Sequence, residues 1–171
     1  MIREFTPIAL IPAAWIMTFL TIVYPGIDSY WIRHMHYFIL LFLAGFTLLS
    51  WGRMGENEVL DIWRKVIAVG VLFTGLGAVS FTVESYSGLL SGASLGYWLV
   101  VPGAGCYLSS GEMRAYSRGY RAVGYAGFAA LVLSLTGITA GVDAVTSLGL
   151  SVAAVSQAYS ILIAARMDGN I

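Results

Sequence analysis

Residues 66–83 read VIAVGVLFTGLGAVSFTV, an unbroken run free of Asp, Glu, Lys and Arg. A helix rises about 1.5 Å per residue and the hydrocarbon layer of a bilayer is about 30 Å thick, so roughly 17 to 25 uncharged residues make one crossing. The run meets that length. It shows no sustained alternation of period two, which argues against a barrel strand. Outward from it, charged residues cut the chain into five further pieces of the same kind, at 6–27, 37–52, 85–111, 122–142 and 144–165. The piece at 37–52 is short, and it reaches a spanning length when His34, Met35 and His36 join it. The expectation is an all-α membrane protein with six transmembrane helices, forming a single transmembrane domain over residues 1–171.

Composition points the same way. Of the 171 residues, 58% are hydrophobic and 11% charged, with a mean hydropathy of +0.82. Soluble domains carry roughly 25% charged residues, so no water-soluble shell can be built from this chain. The formal net charge is zero and no block of like charge occurs, which leaves the lipid bilayer as the expected partner and nucleic acid as an unexpected one. Cys106 is the single cysteine, so neither an internal disulfide nor a cysteine-rich metal or iron–sulfur site is expected. No cofactor is expected.

Orientation follows from Lys and Arg, which stay on the cytoplasmic side during insertion. With six spans, one side receives Arg3, Arg53, Arg64, Lys65, Arg114, Arg118, Arg121 and Arg166, while the other receives only Arg33. The bias places both termini in the cytoplasm of a cell whose inner or plasma membrane holds the protein. Arg3 before an apolar stretch also resembles a signal peptide, but the stretch is too long and leads into Tyr24-Pro25-Gly26 rather than a small-x-small cleavage site. The first span is therefore expected to be retained. Val59, Ile62 and Trp63 fall on one side of the charged segment 58–65, which is expected to lie along the headgroup layer before the third span.

Outer connections near residues 28, 84 and 143 suggest three tandem helical hairpins, with repeats at 1–57, 58–114 and 115–171. At an offset of 56, Asp28-Ser29-Tyr30 meets Glu84-Ser85-Tyr86, Gly55-Glu56 meets Gly111-Glu112, and Lys65 meets Arg121. Tandem two-helix hairpins, Pro25-Gly26 after the first span, and the run Leu95-Gly96-Tyr97-Trp98-Leu99-Val100-Val101-Pro102-Gly103 before a charged stretch resemble the HdeD-like acid-resistance membrane family. That resemblance implies a six-helix inner-membrane protein linked to stress response, and it implies no catalytic residues.

Several motifs are candidates for function. Gly92/Gly96 and Gly137/Gly141 have the four-residue spacing that puts two glycines on one helix face and lets backbones approach. Gly70, Gly75 and Gly77 line the third span. Pro102, within Val101-Pro102-Gly103-Ala104-Gly105, removes a backbone donor inside the fourth span, and a kink there could border a solute path. Gln157 with Ser156 and Ser160 is the most polar interior cluster, so Pro102, Gln157, Ser156 and Ser160 are the candidate pore or solute-lining residues. Asp28, Glu84 and Asp143 fall one per outer loop and could form an acidic ring at a pore mouth.

His34 and His36, two residues apart on a helix, point about 200° away from each other and do not form a chelating pair. No metal site is expected. Gly92-Ala93-Ser94-Leu95-Gly96 matches the G-x-S-x-G pattern of serine hydrolases, whose serine needs a base, and only His34 or His36 is on the same side to provide one. The absence of midplane charge disfavours an ion pump. The expected function is that of a non-enzymatic accessory or stress-related membrane protein acting through packing and association, with a second copy or a membrane complex as partner. The alternative is a small channel or facilitator for a neutral or weakly charged solute, with an intramembrane serine hydrolase a distant third.

Overall fold

The computed structural model describes residues 2–24, 26–55 and 57–167, with the side chains of residues 2–10, 23, 165 and 167 left aside. Pro25, Glu56 and the side chain of Arg3, all used in the sequence reading, lie outside the described residues. The chain forms six long helices in order: α1 (Ile2–Val23), α2 (Ser29–Ser50), α3 (Glu58–Val79), α4 (Ser87–Ser109), α5 (Ser117–Ala140) and α6 (Asp143–Met167). Among the described residues there is no strand. Helices α2 to α6 are long and apolar enough to cross a membrane, and α1 contributes an apolar stretch from Ile11 to Ile22 within its 22 residues. The fold is that of an all-α membrane protein, and its large apolar side chains are displayed outward, as at Leu41, Leu49, Leu72, Leu89 and Val155.

Local chemistry sets the helix ends. Asp28 caps α2, its carboxylate accepting from the Tyr30 N–H at 2.8 Å, and Asn57 caps α3 by accepting from the Leu60 N–H at 2.8 Å. Each side chain satisfies a backbone donor that the first helical turn leaves unpaired. Helix α2 begins early enough to include His34, Met35 and His36, as the length argument required. Helix α3 differs from expectation at its start. The charged segment 58–65 forms its first two turns rather than a separate surface helix, because Asp61 pairs with both Arg64 and Lys65 and the charges support one another along one face. Gly141 ends α5 at φ 67, with the Val142 N–H returning to the Gly137 carbonyl at 2.8 Å.

Consecutive helices run antiparallel, so the loops holding Asp28, Glu84 and Asp143 gather at one end of the bundle. We call this the acidic end and the opposite one the basic end. Going round the bundle, neighbours are α2, α3, α4, α5, α6 and α1. The closest approaches are made by glycine. Gly103 of α4 meets Gly124 and Gly127 of α5 backbone to backbone, and Gly137 and Gly149 receive Thr146 and Ser134 across the α5/α6 seam. Gly70 lies under the Trp98 ring and Gly77 faces Ser94, which seats α3 on α4. Helices α3/α4 and α5/α6 pack as hairpins. The first pair is different, for α1 leans on α6 and α2 on α3, and the two touch each other only sparingly.

Candidate functional site

The splay of α1 from α2 leaves a cavity of about 680 Å³ in the half of the bundle nearest the acidic end. All six helices contribute to its wall. Ile11, Trp15, Thr18 and Ile22 present one face of α1, and Ile32, His36, Ile39 and Leu43 one face of α2, each at the three- and four-residue spacing of a single helix side. Helix α3 supplies Thr74, Gly77, Ser80 and Phe81, and α4 supplies Ser87, Ser91, Ser94 and Trp98. Ile138 of α5 and Gln157 of α6 complete it. Among the described lining residues none is Asp, Glu, Lys or Arg. The surface is mainly apolar, with hydroxyls set into it and one imidazole.

The floor is a chain of hydrogen bonds that ties four helices together. The Trp15 indole N–H donates to Gln157 Oε1 at 2.9 Å, Gln157 Nε2 donates to the Trp98 carbonyl at 2.7 Å, and the Trp98 indole N–H donates to Thr74 Oγ1 at 3.0 Å. An indole nitrogen only donates and a carbonyl oxygen only accepts, so the two partners fix which way the Gln157 amide faces. The Trp98 carbonyl is available because of Pro102. A helical carbonyl expects the N–H four residues on, and proline has none. Trp15, Leu99, Ala130, Leu150 and Ala153 form a dense core beside the floor, and Cys106, Met113, Tyr120, Val123 and Ile163 form another towards the basic end.

The candidates from sequence fall into different places. Gln157 is 5% exposed and sits in the floor. Pro102 is buried within α4, which continues through it as one helix, and acts on the cavity only by freeing the Trp98 carbonyl. Ser160 is buried behind the floor, its hydroxyl donating to the Gln157 carbonyl at 2.7 Å. Ser156 donates to the Ala153 carbonyl at 3.0 Å and borders a shallow, almost wholly apolar groove between α5 and α6. Asp28, Glu84 and Asp143 are all exposed at the acidic end, in separate connections, and Asp28 is engaged as a cap. Among the described residues no three His, Cys, Asp or Glu side chains gather closely enough to hold a metal ion.

The two histidines diverge. His34 is exposed and lies against Tyr30, the two ring centres 3.9 Å apart and the planes tilted by 35°, while His36 lies in the cavity wall against Phe81. Gly92 and Gly96 do not bring helices together within the chain, since a Cβ at either would meet nothing within 4 Å. Gly92 instead lines the cavity, and Gly141 lies beyond its helix as a cap. Ser94 sits mid-helix rather than on the strand-to-helix turn that exposes a hydrolase serine, and among the described residues its hydroxyl makes no hydrogen bond to His36. Sequence reasoning missed Trp15, Thr74, Trp98, Ser87 and Ser91, and singled out Ser94 only as a hydrolase-like serine. A signal existed for the serines of α4, because Ser87, Ser91, Ser94 and Trp98 recur at helical spacing.

No family model matches the chain, and no curated protein or solved structure matches it either. The class of the protein is that of the fold, a helical membrane bundle, here with a cavity of solute size.

Proposed function

We propose that the protein is a small channel or facilitator that admits a neutral or weakly charged solute to the cavity at its acidic end. The observation that carries this reading is the uncharged, hydroxyl-bearing lining. A charged solute would lose its water there with no opposite charge among the described lining residues, which is costly. A neutral one needs only to exchange hydrogen bonds. The volume of about 680 Å³ falls within the range of roughly 300 to 1,000 Å³ found for small-molecule sites. The Lys and Arg distribution supports a cell-membrane location with both termini cytoplasmic, so that the cavity opens outward. Solute-driven swelling of proteoliposomes with glycerol, urea or a short aliphatic alcohol tests the proposal. Uptake above that of empty vesicles, lost in Gln157→Leu, supports it, and uptake equal to empty vesicles for every solute contradicts it.

A second reading is the stress-related accessory role that the HdeD-like resemblance implies, with a second copy or a membrane complex as partner. It is favoured by Gly96, whose face of α4 is left open to close approach from outside the chain. Co-purification of a stoichiometric partner from native membrane, abolished by Gly96→Leu, is the result it requires.

A further inference from the structure

The cavity wall carries a second polar feature one helical turn from the floor, towards the acidic end. Gly77 of α3 has no side chain, and two groups fill the notch that this leaves: a Cβ at Gly77 would lie 2.8 Å from Ser94 Oγ and 3.4 Å from His36 Cδ2. The His36 ring is held in place by Phe81, edge to face at 5.2 Å, and by its own backbone, Nδ1 lying 3.1 Å from the Ile32 carbonyl oxygen. A carbonyl only accepts, so Nδ1 carries the proton and the neutral ring keeps Nε2 as a bare acceptor next to Cδ2. Ser94 Oγ makes no hydrogen bond to any described residue, although it is buried and lines the cavity. A hydroxyl that can donate and accept thus stands beside an imidazole edge that accepts. The neighbouring hydroxyls of Ser80 and Ser91 already donate to the Gly77 and Ser87 carbonyls, and Met35, Ile39 and Leu95 add apolar surface beside the pair.

We infer that His36 and Ser94 form a headgroup subsite that selects, among neutral solutes, an amphipathic molecule bearing one hydroxyl and an aliphatic tail. The solute hydroxyl donates to His36 Nε2 and accepts from Ser94 Oγ, while the tail lies along the α1 and α2 faces. This rests on the cavity being a solute site at all, and the test separates the two. Native protein in nanodiscs is irradiated with a diazirine-bearing analogue of 1-decanol, and labelled residues are mapped by mass spectrometry with decanol or decane as competitor. The expected result is labelling of cavity residues that decanol suppresses at a concentration about tenfold lower than decane, one hydrogen bond corresponding to up to about tenfold in affinity. His36→Phe and Ser94→Ala each reduce that preference.

Cavity labelling suppressed equally by decanol and decane overturns the subsite and leaves the solute cavity standing. Labelling confined to lipid-facing residues such as Leu72 and Leu89 overturns both. The decanol and decane comparison needs no variant, so it decides the matter even if a substitution impairs folding.

Discussion

Gln157 and Pro102, on different helices, meet through one atom: the Trp98 carbonyl oxygen, which Pro102 leaves without its helical donor and to which Gln157 Nε2 donates at 2.7 Å. The two residues form one structural unit. A proline that would otherwise orphan a buried acceptor is compensated by an amide from a neighbouring helix, and both Trp98 and Gln157 line the cavity.

Replacing Gln157 by Leu removes the partner of both the Trp15 indole N–H and the Trp98 carbonyl. Two buried groups left unsatisfied cost about 2 to 4 kcal/mol together. Pro102→Ala restores a helical N–H to the same carbonyl, so the double variant is expected to be less destabilised than the sum of the singles by about 1 kcal/mol. Thermal unfolding in detergent of the four proteins measures this coupling. Strict additivity would mean that the two residues do not share the carbonyl.

Glycine positions that look alike in sequence should respond with opposite sign. Gly149→Ala pushes a methyl group into the Ser134 hydroxyl and backbone, an overpacking that costs about 1 to 3 kcal/mol. Gly96→Ala meets nothing within 4 Å and gains helix propensity, stabilising by up to about 1 kcal/mol. The melting temperatures of the two variants should therefore move in opposite directions from the native value.

Much of the fold was legible because hydrocarbon rejects charge. The run at 144–165 falls on α6 to within two residues at either end, and the run at 122–142 falls on α5, which begins five residues earlier, at Ser117. The start of α3 was misplaced because Asp61, Arg64 and Lys65 neutralise one another, so the helix tolerates charges that the cutting rule reads as an end. The separation of α1 from α2 was not legible, since hydropathy along one helix says nothing about which helix lies beside it. The cavity was hidden for the same reason: its wall is a set of ordinary Ser, Thr, Trp and Ile residues that acquire meaning only when six faces converge. Gln157 could be found because an amide deep in an apolar run demands partners, although the identity of those partners, Trp15 and Trp98, could not.

Filling the cavity should spare the fold. A side chain at Gly92 projects into open space, so Gly92→Trp is expected to keep stability within about 1 kcal/mol while abolishing solute uptake. Uptake and unfolding measured on the same preparation check this. Loss of both together would place Gly92 in the packing rather than at the cavity.

Asp28 should behave as a cap, not as part of a cation-collecting ring. Asp28→Ala costs about 1 kcal/mol through loss of its bond to the Tyr30 N–H, and Asp28→Ser, which retains a capping oxygen, recovers most of it. Glu84→Ala, with no side-chain cap to lose, leaves the unfolding midpoint unchanged.

The most direct test of a solute cavity open at the acidic end is thiol accessibility in sealed membranes. With Cys106, which is 1% exposed, replaced by Ser, single cysteines are placed at Ser91 in the cavity and at Leu99 in the packed core outside it. A small water-soluble thiol reagent is predicted to modify the Ser91 position from the acidic side alone, to be blocked there by Gly92→Trp, and to leave the Leu99 position untouched. Equal modification of both positions, or of neither, would contradict the account.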